Sequence, residues 1–374
     1  MIYILFAVSR VLLLITSFIA QKTVPYLGFF PLKEFLPAFG LPSFISAFAN
    51  FDGLHYVQIA QKSYAQYEQA FFPLYPLFIH GVTFFTHNEL VSGLLISNCS
   101  FFLALVIFQK ILILSIKDKK QVVWFTIFLF SFTTSFFFAA VYTEGFFFLL
   151  FSLSLYFFLH KKYAWVVVFS LLTSLTRLIG IFLIIPFFFQ LLAEHKGMIK
   201  SFKPLPLLSP LFGLFIYMGY LWMTTGDPLI FFNAQPKFGA NRSTHLIFLP
   251  QVLYRYFKIL TTAAHDSRWA IAGVELIIFS VVFCVLIADL IILLKEKKPS
   301  FFLMGINLFS FVNLILPTLT GTFSSVPRYA LFSFSFFLLL AKIKSTKIKI
   351  ILALLLAISQ VVLLSLFIQG YFVG

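Results

Sequence analysis

Residues 270–294 read AIAGVELIIFSVVFCVLIADLIILL, and the chain then turns abruptly to Lys295-Glu296-Lys297-Lys298. At 1.5 Å per residue, a helix of this length reaches about 37 Å, more than the roughly 30 Å hydrocarbon core of a bilayer. So long an apolar run, closed by a lysine cluster, is a membrane-spanning helix with its basic end in the cytoplasm.

The same pattern recurs along the chain. Runs near 2–21, 89–116, 121–141, 144–160, 163–177, 178–193, 205–224, 270–294, 300–318, 328–341 and 348–370 predict about 11 transmembrane helices. Composition agrees: 61% of the 374 residues are hydrophobic and 10% are charged, against about 45–50% and about 25% in an ordinary globular domain. The expected fold class is an all-α polytopic membrane protein, a single integral membrane domain over 1–374. A secreted disulfide scaffold, a disordered chain and a nucleic-acid-binding domain are excluded despite the net charge of +15. A basic excess in a membrane protein is ordinarily the cytoplasmic-loop bias. Cys99 and Cys284 lie inside apolar runs and read as small hydrophobes rather than a redox pair or a metal site.

Lysines set the expected orientation. The clusters Lys117/Lys119/Lys120, Lys161/Lys162, Lys196/Lys200/Lys203, Lys295/Lys297/Lys298 and Lys342/Lys344/Lys347/Lys349 fall in every second connection and mark the cytoplasmic face. The N-terminus is then cytoplasmic, the C-terminus outside, and 22–88, 142–144, the region around 177, 225–268 and 319–328 lie on the outer side. This scheme requires 71–86, with Pro73 and Pro76 at its start, to be re-entrant or interfacial. The first run lacks basic residues before it and a small-residue cleavage motif, so it reads as an uncleaved helix. The outer loops 22–88 and 225–268 exceed ordinary connections and are expected to be ordered at the membrane surface. The 56 phenylalanines read as lipid-compatible filler and suggest no cofactor.

Acids are few, and their placement is uneven. Asp118, Glu194 and Glu296 sit among cytoplasmic lysines, where a solvated role suffices. Asp52, Glu68, Glu144, Asp227 and Asp266 map to the outer side together with Arg177, Arg242, Arg255, Arg268 and Arg328, which points to an outward-facing polar site. Glu275 and Asp289, inside the 270–294 run, fit no motif. Asp52, in Asn50-Phe51-Asp52-Gly53, reads equally as a helix N-cap or as a carboxylate projected by a tight turn. Glu144 opens a span, where a carboxylate favours the helix dipole and a cap is the plain reading. Arg177 and Arg328 precede short spans and need anionic partners, either Glu144 or Asp227 or a ligand phosphate. Arg10, in the middle of the first span, must face the bundle interior. Asp227-Pro228 alone is a turn initiator. His55, His245 and His265 show no metal-ligand spacing and there is no DxD pair, so no metal is called for. The sequons Asn98-Cys99-Ser100 and Asn241-Arg242-Ser243 read as chance.

Taken together the motifs resemble the PIG-V mannosyltransferases and their prokaryotic relatives, of the GT-C class of membrane glycosyltransferases. Asn50-Phe51-Asp52-Gly53 through His55-Tyr56, Ile59-Ala60, Tyr64 and Ala70-Phe71-Phe72-Pro73-Leu74-Tyr75-Pro76 resemble the family's W-D-G, I-A-x-x-G-Y and A-F-F-P-L-Y-P string. Ser9-Arg10, Tyr142-Thr143-Glu144, Thr176-Arg177 with Gly180, Gly226-Asp227-Pro228-Leu229 with Ala234-Gln235, and Arg328-Tyr329 follow in family order. Phe51 stands where tryptophan is usual, Ser63 where glycine is common, and Leu178 where a small polar residue is common.

The resemblance implies a GT-C-like bundle and inverting transfer of a hexose, mannose by family, from a polyprenyl-phosphate donor. The acceptor is a lipid, glycan or protein hydroxyl on the non-cytoplasmic face of the plasma membrane. Asp52 is then the candidate base, and Arg177, Arg328 and, more weakly, Arg10 the donor-phosphate ligands. Glu144, Asp227, His55, Tyr56, Gln235 and Tyr329 are the candidates for holding sugar or acceptor. No cofactor and no nucleic-acid partner is expected. The competing class is a transporter or flippase, for which intramembrane arginines and acids are equally expected, although no paired repeat is visible. A catalytically dead subunit is the third option, and retention of Asp52 speaks against it.

Overall fold

Helices form within the apolar runs, over part or all of each, and several of their starts follow local capping chemistry. The computed structural model describes residues 2–28, 33–116, 118–194, 204–239, 242–297 and 299–374; Lys117, Lys196, Lys200, Lys203, Lys298 and Asn241 lie outside these. Among the described residues every regular element is helical. Asp118 caps the Lys119–Ser131 helix by accepting from the Lys120 and Gln121 amides at 2.8 and 3.3 Å. Asp266 does the same for Ser267–Lys295, through the Arg268 and Trp269 amides at 2.9 and 3.0 Å. Both acids satisfy backbone donors that a helix start otherwise leaves free.

Among the described residues six helices are long and apolar enough to cross a membrane: Ile2–Thr23, Glu89–Ile116, Pro204–Thr225, Ser267–Lys295, Phe301–Thr320 and Thr346–Ile368. The other five predicted spans hold shorter helices, Lys119–Ser131, Glu144–Leu159, Tyr163–Thr176, Ile184–Glu194 and Phe334–Lys342. The longest of these has 16 residues and reaches only about 24 Å. Glu144–Leu159 and Tyr163–Thr176 fill their short runs, while the other three are cut short where turns and 3-10 helices replace the α-helix, at 132–143, 177–183 and 316–333. The stretch expected to be re-entrant or interfacial carries the 13-residue helix Leu74–Thr86, which packs on Glu89–Ile116.

Buried backbone outside regular helix is tolerated only when protein groups satisfy it. Small polar side chains do so here. Ser97 Oγ donates to the Tyr142 carbonyl at 3.0 Å, Asn98 Nδ2 to that of Ala139 at 3.1 Å, Thr134 Oγ1 to that of Pro327 at 2.7 Å and Asn313 Nδ2 to that of Tyr329 at 2.6 Å. Asn98, read from sequence as part of a chance sequon, is thus a bracket for a broken helix. Glu275 and Asp289 find similar work. Glu275 accepts from Tyr256 Oη, which in turn accepts from the Phe323 amide at 3.0 Å. Asp289 accepts from Asn307 Nδ2 at 3.0 Å and lies 3.7 Å from Lys342 Nζ.

Phenylalanine does more than face lipid. Phe136, Phe137, Phe138, Phe147, Phe332 and Phe334 are fully buried around the breaks, while Val8, Val11, Leu12, Ile351, Leu354 and Leu355 cover the outer faces of the first and last helices. Planar rings fill irregular space between short elements and stack closely, as Phe101 on Phe138 at 4.2 Å. Gly145 shows how tight the inner packing is. A Cβ there would sit 2.3 Å from the Ser97 carbonyl oxygen, so Gly145→Ala is expected to destabilise the protein by about 1–3 kcal/mol through overpacking. Thermal unfolding in detergent checks this, and an unchanged midpoint would contradict the packing.

Candidate active site

The helix breaks converge on one cavity of about 200 Å³. Its polar wall carries Asp52, Glu144, Arg177, Arg242 and Arg328, and its apolar wall includes Phe231, Leu246 and Leu319. Five separate stretches of sequence deliver the charged groups.

Asp52 is the first residue of the Asp52–Lys62 helix, and the capping position is held by Phe51, which gives no side-chain cap. The capping role considered from sequence is therefore not the one its carboxylate plays. Phe51 itself has φ 57° and ψ −120°, a conformation that costs a bulky residue on the order of 1–3 kcal/mol. Surrounding contacts enforce it: the Phe51 ring packs on Phe367 and Phe372. Asn50 Nδ2 donates to the Phe367 and Ile368 carbonyls, and Tyr142 Oη donates to the Asn50 carbonyl. This strained turn aims Asp52 at Arg328, whose Nη1 lies 2.6 Å from Asp52 Oδ2. Burial alone would raise the Asp52 pKa. The adjacent Arg328, its hydrogen bond, Arg242 and His55 outweigh it and hold the carboxyl below its ordinary value.

Glu144 starts the Glu144–Leu159 helix and is 1% exposed. It pairs with Arg177 Nη1 and lies 3.6 Å from Arg328 Nε, while its Oε2 has no hydrogen-bond partner among the described residues. Arg177 follows the Tyr163–Thr176 helix in extended conformation, donates to Thr143 Oγ1 at 3.1 Å, and stacks 4.8 Å from the Tyr329 ring. Of the two partners considered for Arg177 and Arg328, Glu144 serves both and Asp227 neither.

Asp52, Tyr56, Glu144, Arg177, Gln235, Arg328 and Tyr329 all line the cavity. Burial raises the Tyr56 pKa and keeps its phenol neutral. Three other sequence candidates are placed elsewhere. Arg10 lies between the rings of Phe6 and Phe101, at 4.6 and 5.0 Å, because the first helix packs on the outside of the bundle. Asp227 accepts from the Leu229 amide and from Asn233 Nδ2, both at 2.8 Å; it builds the turn that leads to Gln235. His55 bonds Glu68 Oε1 at 2.9 Å and stacks behind Phe71, so it supports the wall without lining it. Sequence reasoning noted Arg242 only as an outer-side cation, although its signal was present: residues 228–265 contain no acid. Among the described residues no three His, Cys, Asp or Glu side chains gather to hold a metal ion.

Three guanidiniums against two carboxylates leave the cavity with a positive excess, next to an apolar wall. Such a site suits a ligand that is anionic at one end and hydrocarbon at the other. Compared with known proteins, the chain matches no family model, no curated protein and no solved structure.

Proposed function

We propose that this chain is an integral membrane glycosyltransferase of the PIG-V-like, GT-C type. In this reading about eleven segments occupy the membrane, the shorter ones as broken helices, and the cavity opens on the non-cytoplasmic face of the plasma membrane. The donor is a polyprenyl-phosphate sugar, mannose by the resemblance, and the acceptor a lipid, glycan or protein hydroxyl. One observation carries the proposal: motifs scattered from Asp52 to Tyr329, chosen by resemblance, meet around a single amphipathic cavity with excess positive charge.

The acceptor oxygen attacks the anomeric carbon, and the bond from that carbon to the phosphate oxygen breaks. The acceptor proton passes to the Asp52 carboxylate, and polyprenyl phosphate leaves with the bonding electron pair. A single displacement inverts the anomeric centre. Asp52 is ionised at neutral pH, as a base must be, and Arg328 fixes its direction. Glu144 holds Arg177 and Arg328 in place, and Tyr56, Gln235 and Tyr329 offer hydrogen bonds to sugar or acceptor hydroxyls. The test is purified protein in detergent with labelled polyprenyl-phosphate mannose and a panel of acceptors. Inverted product and free polyprenyl phosphate are expected in equal amounts; if no donor sugar is transferred to any acceptor, the proposal fails.

Orientation gives a separate prediction. Cysteines replacing Ser63 and Ser243, in a chain without Cys99 and Cys284, should react with an impermeant thiol reagent on intact cells. Those replacing Lys119 and Lys297 should not; Gly197, a third cytoplasmic probe position, lies outside the described residues. Outside labelling at 119 would make Leu74–Thr86 a full span.

A further inference from the structure

Arg177 and Arg328 have the strongest sequence claim on a donor phosphate, yet both are already engaged by carboxylates, Glu144 and Asp52. An incoming anion would have to share or displace those partners. Arg242 is different. It lines the same cavity, and its hydrogen bonds go to neutral groups, from Nη2 to Ser325 Oγ at 3.1 Å and from Nη1 to Gln235 Oε1 at 3.4 Å. Among the described residues no carboxylate lies within ion-pair distance of it.

A half-buried guanidinium without a counter-ion favours binding of an anion, because the cost of removing it from water is otherwise uncompensated. Burial lowers the Arg242 pKa, and the attraction of Asp52, which lies beyond ion-pair distance, does not offset it. Its partners are also held in place. Ser325 is fixed at φ 70°, 2% exposed, and the loop before it is braced by Tyr256, which bonds the Phe323 amide, Thr322 and Glu275. Gln235 follows the turn built by Asp227.

We propose that Arg242, with its fork steadied by Ser325 and Gln235, is the anion-binding group of the cavity and takes the phosphate of the lipid-linked donor. Arg328 is then a positioning residue for Asp52, and the Glu144–Arg177 pair braces Arg328. Naming the phosphate as the donor's rests on the glycosyltransferase reading; the anion site itself rests on the geometry.

The experiment measures binding of citronellyl phosphate, a short lipid phosphate, and of inorganic phosphate to the purified full-length protein in detergent. Wild type should bind citronellyl phosphate more tightly than inorganic phosphate. Arg242→Gln should weaken citronellyl phosphate binding about 10- to 100-fold, the effect of losing a charge-assisted contact. Arg242→Lys, which retains the charge and guards against a misfolded Gln variant, should weaken it several-fold, because a point charge loses the forked geometry. If wild type binds citronellyl phosphate while both variants bind it equally well, the Arg242 assignment is overturned and the donor reading stands. If wild type binds neither probe, both are overturned. Equal affinity for the two probes would overturn the assignment to a lipid phosphate.

Discussion

Asp52→Asn is expected to lower sugar transfer by about 10²- to 10⁴-fold while the protein remains folded, which is the usual contribution of a general base. The substitution is close to isosteric, and Asn can still accept the hydrogen bond from Arg328, so the geometry of the turn should persist. A capping role would make the change nearly silent, since Asn caps about as well as Asp. The structure already removes that role, because Phe51 occupies the capping position and the carboxylate points to Arg328. Arg328 and its neighbours hold the Asp52 pKa below its ordinary value, so Asp52 stays charged well into mild acid and its protonation should not limit activity there. Transfer rates and thermal unfolding of the two proteins, measured side by side, check the prediction. Near-wild-type transfer by Asp52→Asn would remove Asp52 as the base and pass the role to Glu144, whose Oε2 has no hydrogen-bond partner among the described residues.

The largest stability effect is expected at Glu144. Glu144→Ala would leave the buried Arg177 with Thr143 and aromatic faces but no carboxylate of its own, and breaking a buried pair in this way typically costs about 3–5 kcal/mol. The double variant Glu144→Ala with Arg177→Met should recover much of that loss, since replacing both charges by apolar groups is often close to neutral. Thermal unfolding of the single and double variants distinguishes this from a surface-like pair. A single variant as stable as wild type would mean that the pair contributes little and that the cavity tolerates a free guanidinium.

Much of this was legible in the sequence, for identifiable reasons. Capping, helix length and the lysine bias are local, so the helices could be placed from residue order alone. The connections near 143, 177 and 319–328 could be placed too, but not the extent of the breaks around them, because hydropathy cannot tell Phe136-Phe137-Phe138 in a turn from the same residues in a span. Asp52, Glu144, Arg177 and Arg328 were marked by resemblance, and Glu144 was among the partners open to the two arginines, but the pairing of Asp52 with Arg328 was not legible. Asp52 and Arg328 stand 276 residues apart, and only tertiary packing decides which arginine a carboxylate faces. Arg10, His55 and Asp227 lie away from the cavity for the complementary reason: a motif match states which residues recur and not which of them share a cavity. Arg242 was passed over because it matched no motif, while its long acid-free surroundings, a purely electrostatic signal, marked it.

The most direct test of the account places the purified protein in liposomes with a labelled polyprenyl-phosphate mannose and an acceptor, and follows two quantities together: sugar transferred, and labelled donor moved between leaflets. The account predicts transfer that falls by about 10²-fold or more with Asp52→Asn and no acceleration of donor movement by either protein. Donor movement without any transfer would contradict it and make the chain a lipid transporter.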